Sequence, residues 1–92
     1  MRVLASDIAN DASSPTFKSN GMDWVCIGGN FAGDADATLM ASPDGGTTWA
    51  QVSAETVFTA AAWYVCRLPA GVLLRVDVAN GNGTTAIDVW VS

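Results

Sequence analysis

The sequence predicts an all-β fold: a small antiparallel β-sandwich, jelly-roll-like, with about seven or eight short strands and an extended N-terminal arm. Three observations predict it. Turn signals built on Gly, Pro and Asn recur roughly every ten residues. Between them lie short runs rich in Val, Ile, Thr and Trp, several alternating apolar with polar, and no stretch carries the 3.6-residue period of a helix. The chain has 92 residues, enough for one domain with one modest core. The expected division is an arm over 1–14 and a sandwich domain over 15–92.

Met1 to Ser14 opens with a short apolar run and then turns polar and small, so it reads as an extended arm with a short strand at Arg2–Ala5. It is either an anchor onto a neighbouring subunit or a frayed terminus. Pro15 to Asn20 predicts a strand with Phe17 inward, and Asn20-Gly21 a turn. Met22 to Asn30 (MDWVCIGGN) is apolar on both faces, as in a strand buried on two sides. Phe31 to Asp36 predicts a loop, with Asp34 and Asp36 as solvated acids; the third oxygen ligand, Gly and distal Glu of a calcium loop do not follow.

The fold-organising stretch is Ala37 to Val52 (ATLMASPDGGTTWAQV), two strand-like runs joined by a turn. Pro43 presets φ, Asp44 accepts from backbone N–H groups just ahead of it, and Gly45-Gly46 allow positive φ. Glu55 to Ala60 and Trp63 to Leu68 predict two more strands, and Pro69-Ala70-Gly71 a turn. In Val72 to Ala79, Leu74, Val76 and Val78 share one face while Arg75 and Asp77 share the other, close enough to pair. Asn80 to Gly83 predicts a hairpin turn. Thr84 to Val91 closes with Ile87, Val89 and Val91 on one face and Asp88 and Trp90 on the other.

Hydrophobic residues make up 50% of the chain and charged ones 14%. That is apolar for so small a domain and predicts that some apolar residues sit in an interface. Nine acids against four bases give a net charge of −5, which opposes binding to nucleic acid or to anionic membrane surfaces. No apolar run approaches the ~18 residues of a membrane span. Arg2 is followed by only three small or apolar residues before Ser6 and Asp7, so no export signal is expected. Cys26 and Cys66 lie in strand-like runs; buried reduced thiols are the expectation, a disulfide across the sandwich the alternative.

Catalytic constellations are missing. The chain has no His, so neither Ser–His–Asp nor Cys–His catalysis can be assembled within it. Two Cys without His make no structural zinc site, Glu55 is the only Glu, and the Gly-rich pieces follow turn logic with no phosphate loop among them. The expectation is a protein that is not an enzyme and carries no cofactor or metal. Four Trp and one Tyr leave stacking on a sugar ring as an alternative use. Tyr64 and Trp90 are its candidates, each read as lying opposite the apolar face of its own strand.

Two resemblances add to this. Ser42, Asp44, Gly46, Thr48 and Trp49 fill the five positions of the Asp-box, the S-x-D-x-G-x-T-W hairpin of sialidases and other β-proteins, in which Asp and Ser brace the turn and Trp packs beneath it. That motif is structural. A sialidase would also need a propeller, an arginine triad and a Tyr–acid pair, whereas this chain has a single copy of the box and Arg only at 2, 67 and 75.

The wider pattern, Ser42 to Trp49, then Leu68-Pro69-Ala70-Gly71 leading into Arg75 and Val76, an Asn/Gly turn and a last strand, resembles small all-β proteins of tailed bacteriophages. The resemblance covers about Gly21 to Val91. It implies a virion structural part, notably a capsid cement or decoration protein. Such a protein would be made in the host cytoplasm, sit on the outer capsid surface and bind the major capsid protein as a homo-oligomer, commonly a trimer. Val3, Leu4 and Ile8 of the arm are the expected capsid contact, and one apolar sandwich face the self-association surface. The alternatives are a tail-fibre or surface module that binds glycans, and a head–tail connector or adaptor subunit.

Overall fold

The computed structural model describes residues 1–92 and contains nine strands and no helix. They are β1 (Arg2–Ile8), β2 (Phe17–Lys18), β3 (Asp23–Asn30), β4 (Gly33–Ser42), β5 (Ala50–Gln51), β6 (Val57–Phe58), β7 (Ala62–Cys66), β8 (Leu73–Gly81) and β9 (Ala86–Val91). They form two antiparallel sheets. The first has the order β1-β9-β3-β7; the second runs β2-β8-β4-β5, with β6 also paired to β4.

The period-2 alternation of the long strands decides what lies between the sheets. Val25 and Ile27 of β3 and Ile87, Val89 and Val91 of β9 point inward from the first sheet. Ala37 and Leu39 of β4 and Leu74, Val76 and Val78 of β8 meet them from the second. Phe17, Phe58 and Ile8 complete the same cluster. Burying each such Val, Leu, Ile or Phe stabilises the sandwich by about 1.5–3 kcal/mol.

The N-terminal segment is no projecting arm. Residues 2–8 form the edge strand of the first sheet, paired to β9 through two register shifts, and Ile8 is only 6% exposed. The chain then crosses to the second sheet, where Ser14 N–H donates to the Val76 carbonyl (2.8 Å) and Val78 N–H to the Ala12 carbonyl (2.9 Å). Small polar residues carry this crossing because their hydroxyls replace ladder bonds: Val76 N–H also donates to Ser14 Oγ at 2.9 Å.

Other boundaries shift as well. Glu55 to Ala60 contributes only the two residues of β6. The expected loop at Phe31 to Asp36 is replaced by the first turn-out of β4, which begins at Gly33 with a register shift before Asp36. β3 is buried on one face only. The largest departure is at Asn80 to Gly83: β8 continues to Gly81, and the following turn delivers β9 to the opposite sheet, so β8 and β9 form no hairpin. Thr85 fixes this crossing, accepting from Asn82 N–H (2.9 Å) and donating to the Ala32 carbonyl (2.9 Å). A side chain on Gly81 would strike the Thr85 hydroxyl.

Candidate functional site

The β4–β5 hairpin is tied by side chains to its own backbone. The Ser42 hydroxyl donates to Asp44 Oδ1 (2.8 Å) and accepts from Gly46 N–H (2.8 Å). Thr48 N–H donates to Asp44 Oδ1 (2.8 Å), and the Trp49 indole N–H donates to the Gly46 carbonyl (2.9 Å). Donation from Thr48 N–H, and then from Ser42, holds the Asp44 carboxyl down to about 2. Ser42, Asp44, Gly46, Thr48 and Trp49 therefore act on one another and on the turn, with no unused group turned toward a ligand.

Trp49 reaches the outer face of the second sheet, where the Arg75 guanidinium lies 4.1 Å from its ring centre. Arg75 also pairs with Asp77. Its Nε lies 2.8 Å from Oδ1 in an ion contact without hydrogen-bond alignment, while Nη2 donates to Oδ2 at 3.3 Å. Ser13 Oγ donates to Asp77 Oδ1 at 2.6 Å. This outer face carries charged side chains paired within the chain, with Val57 as its one large hydrophobic residue among the exposed ones.

The outer face of the first sheet is its opposite. Register places Val3, Trp90, Cys26 and Trp63 in one row across β1, β9, β3 and β7. Trp24 and Val65 are paired in the next row, which Met1 extends. Trp63 is 64% exposed, Met1 59%, Val3 55% and Trp24 46%. Met1, Cys26, Trp63 and Trp90 line an open hollow of about 270 Å³. Charged side chains flank these rows at the two ends. Arg67 follows Cys66 beyond the Trp24 row, and Asp88, opposite Gly28, lies beyond the Trp63 row. Asp88 Oδ1 accepts from Asp7 N–H at 2.9 Å.

The residues expected to touch a capsid are split by this arrangement. Ile8 is in the core and Leu4 packs against it, leaving Val3 alone outside. The expected sugar-stacking pair is split too. Trp90 faces outward, its ring over Gly28, but Tyr64 pairs with inward-facing Val25 and meets Phe58 edge-on at 6.1 Å between ring centres. Tyr64 is a correction with a simple cause: the run WYVC is apolar on both faces, so alternation does not say which face turns inward. The exposed indoles are Trp24 and Trp63. Their signal was the two-sided apolar character of their strands, which reads equally well as double burial.

The two cysteines lie on opposite sides of the first sheet, Cys26 outward and Cys66 inward, and both are free thiols. Burial pushes the Cys66 thiol up, with Asp23 across the ladder adding to the effect. Asp23 is itself buried, accepting from the Ser19 hydroxyl at 2.7 Å. No three His, Cys, Asp or Glu side chains converge as a metal site would require. The chain has no helix long and apolar enough to cross a membrane. Comparison of the chain with protein families, curated proteins and solved structures finds no match.

Proposed function

We propose that the protein is a virion structural protein, a capsid cement or decoration protein that stabilises a phage head by joining subunits of the major capsid protein. The observation that carries this reading is the contrast between the two sheets. One outer face pairs its charges within the chain and exposes a single large apolar side chain, Val57, while the other presents two exposed indoles, a methionine and a valine to water. A contiguous apolar patch on a small domain marks an interaction surface. Its side chains are apolar apart from the single thiol of Cys26, which suits adhesion. Copies joined to each other present their remaining surfaces to several shell subunits at once, and such multivalent attachment opposes internal pressure more strongly than any single contact.

The test is whether the protein co-purifies with capsids. Under this reading it appears in a fixed ratio to the shell subunit and in many copies. Six or twelve copies per particle would identify a connector, and absence from the particle would end the virion reading.

A second reading has its own observation. Trp24 and Trp63 are exposed on one face of one sheet, which suits stacking against sugar rings in a surface module. Titration with glycans would then change tryptophan emission, and Trp63→Ala would abolish the change. The absence of polar side chains from the hollow argues against it, because sugar specificity rests on directed hydrogen bonds.

A further inference from the structure

We propose that the outer face of the first sheet is a self-association surface, on which a second copy of the chain docks face to face about a two-fold axis lying between Trp24 and Cys26. This does not rest on the virion reading: a chain absent from capsids leaves it standing, and a chain that is always single leaves that reading standing.

The argument begins with register. On the outer face, Met1, Trp24 and Val65 form one row, and Val3, Trp90, Cys26 and Trp63 form the next. An axis parallel to the sheet and just outside it, running across the strands midway between these rows, exchanges them. Met1 of one copy then lies over Val3 of the other, Trp24 over Cys26 and Val65 over Trp63. Ser92, which pairs with Trp24 in the same row, falls over Trp90, and every other central position meets an apolar one. Trp24, which does not line the hollow, projects beside it and is carried by the same axis onto the partner's hollow. An isologous interface requires this of a surface, that its projection fit its own recess.

At the rim the same axis sets the Arg67 row of one copy over the Asp88 row of the other; Arg67 lies on the β7 side and Asp88 on β9, two strands apart, so no like charges are stacked. A hollow of about 270 Å³ lies below the ~300 Å³ at which small-molecule pockets begin, and it suits an inserted side chain.

Area supports a pair too. Two indoles at these exposures leave on the order of 250 Å² in water. Met1, Val3 and Trp90 carry the patch into the 300–600 Å² range typical of a functional surface. Two copies together with their rims reach roughly the 1,000 Å² that a specific interface needs.

The experiment is light scattering on the purified full chain over a range of concentrations, with thiol labelling of Cys26. The expected mass is two chains, falling to one in Trp63→Asp and in Trp24→Asp, while Val57→Asp, on the other sheet, stays paired. Cys26 is expected to label slowly in the pair and quickly in the two tryptophan variants. Buried Cys66 stays silent in all of them while each remains folded, which separates loss of pairing from unfolding. A single-chain mass for the wild-type protein, a three-chain mass, or a pair that survives Trp63→Asp would each overturn the proposal.

Discussion

Ser42 shows how one hydroxyl can organise a turn. It is buried, donates to Asp44 and accepts from Gly46. Ser42→Ala should therefore cost about 1–2 kcal/mol, since it removes both bonds and leaves the half-buried Gly46 N–H without its partner. For a domain of this size that is roughly 4–8 °C of Tm per kcal/mol, readable by calorimetry. Asp44 makes the same hairpin sensitive to acid. Its carboxyl sits at about 2 against an ordinary 3.8, so the unfolded chain binds the proton more readily. The hairpin's contribution is complete above the ordinary value, falls as the pH drops through this interval and is gone below about 2. The indole N–H resonance of Trp49, followed by NMR down this range, should move with it. Cys66 acts at the other extreme. Because its folded pKa is raised, its contribution is whole below the ordinary 9.0 and declines at higher pH, which urea midpoints measured in alkali should show.

At the level of the strands, close backbone approach is the constraint least visible in a sequence. Gly29 has φ of 99° and packs so tightly on β9 that a side chain would collide with the Ala86 carbonyl. Gly29→Ala is expected to destabilise by about 1–3 kcal/mol, measured by urea unfolding, from backbone strain alone. The legible strands were those whose alternation names a single buried face. Leu74, Val76 and Val78, and Ile87, Val89 and Val91, all face the core. Where both faces are apolar the pattern does not choose: Tyr64 reads as outward and Trp24 as buried, whereas Tyr64 turns toward Phe58 and Trp24 is exposed. Turns were legible as turns, but Asn80 to Gly83 did not reveal its destination. Whether a turn closes a hairpin or crosses between sheets is decided by contacts such as Thr85 to Ala32, which are distant in sequence. The strand expected at Arg2–Ala5 is present but runs on to Ile8; its continuation is hidden because its register with β9 is irregular, and bulges erase the period-2 signal.

For the molecule as a whole, the two outer surfaces predict opposite mutational responses. Leu74→Ala, at 0% exposure in the core, should cost about 2–5 kcal/mol. Trp63→Ser removes a far larger side chain, yet should change the stability of the single chain by no more than about 0.5 kcal/mol, because most of that ring is already in water. Chemical denaturation of the two variants at low protein concentration separates core from contact surface.

The placement of β9 has a consequence for synthesis. It lies between β1 and β3 in the first sheet, although it is made well after both. While a ribosome is still adding residue 85, β1 has no neighbour in that sheet and β3 has only β7. Two raw edges therefore wait for the six residues of β9. Such non-local closure is slow, and nascent chains with open edges are those that aggregate or need a chaperone's cover. The protein's birth is its most exposed moment, and its yield in a cell should depend on how quickly β9 slides home.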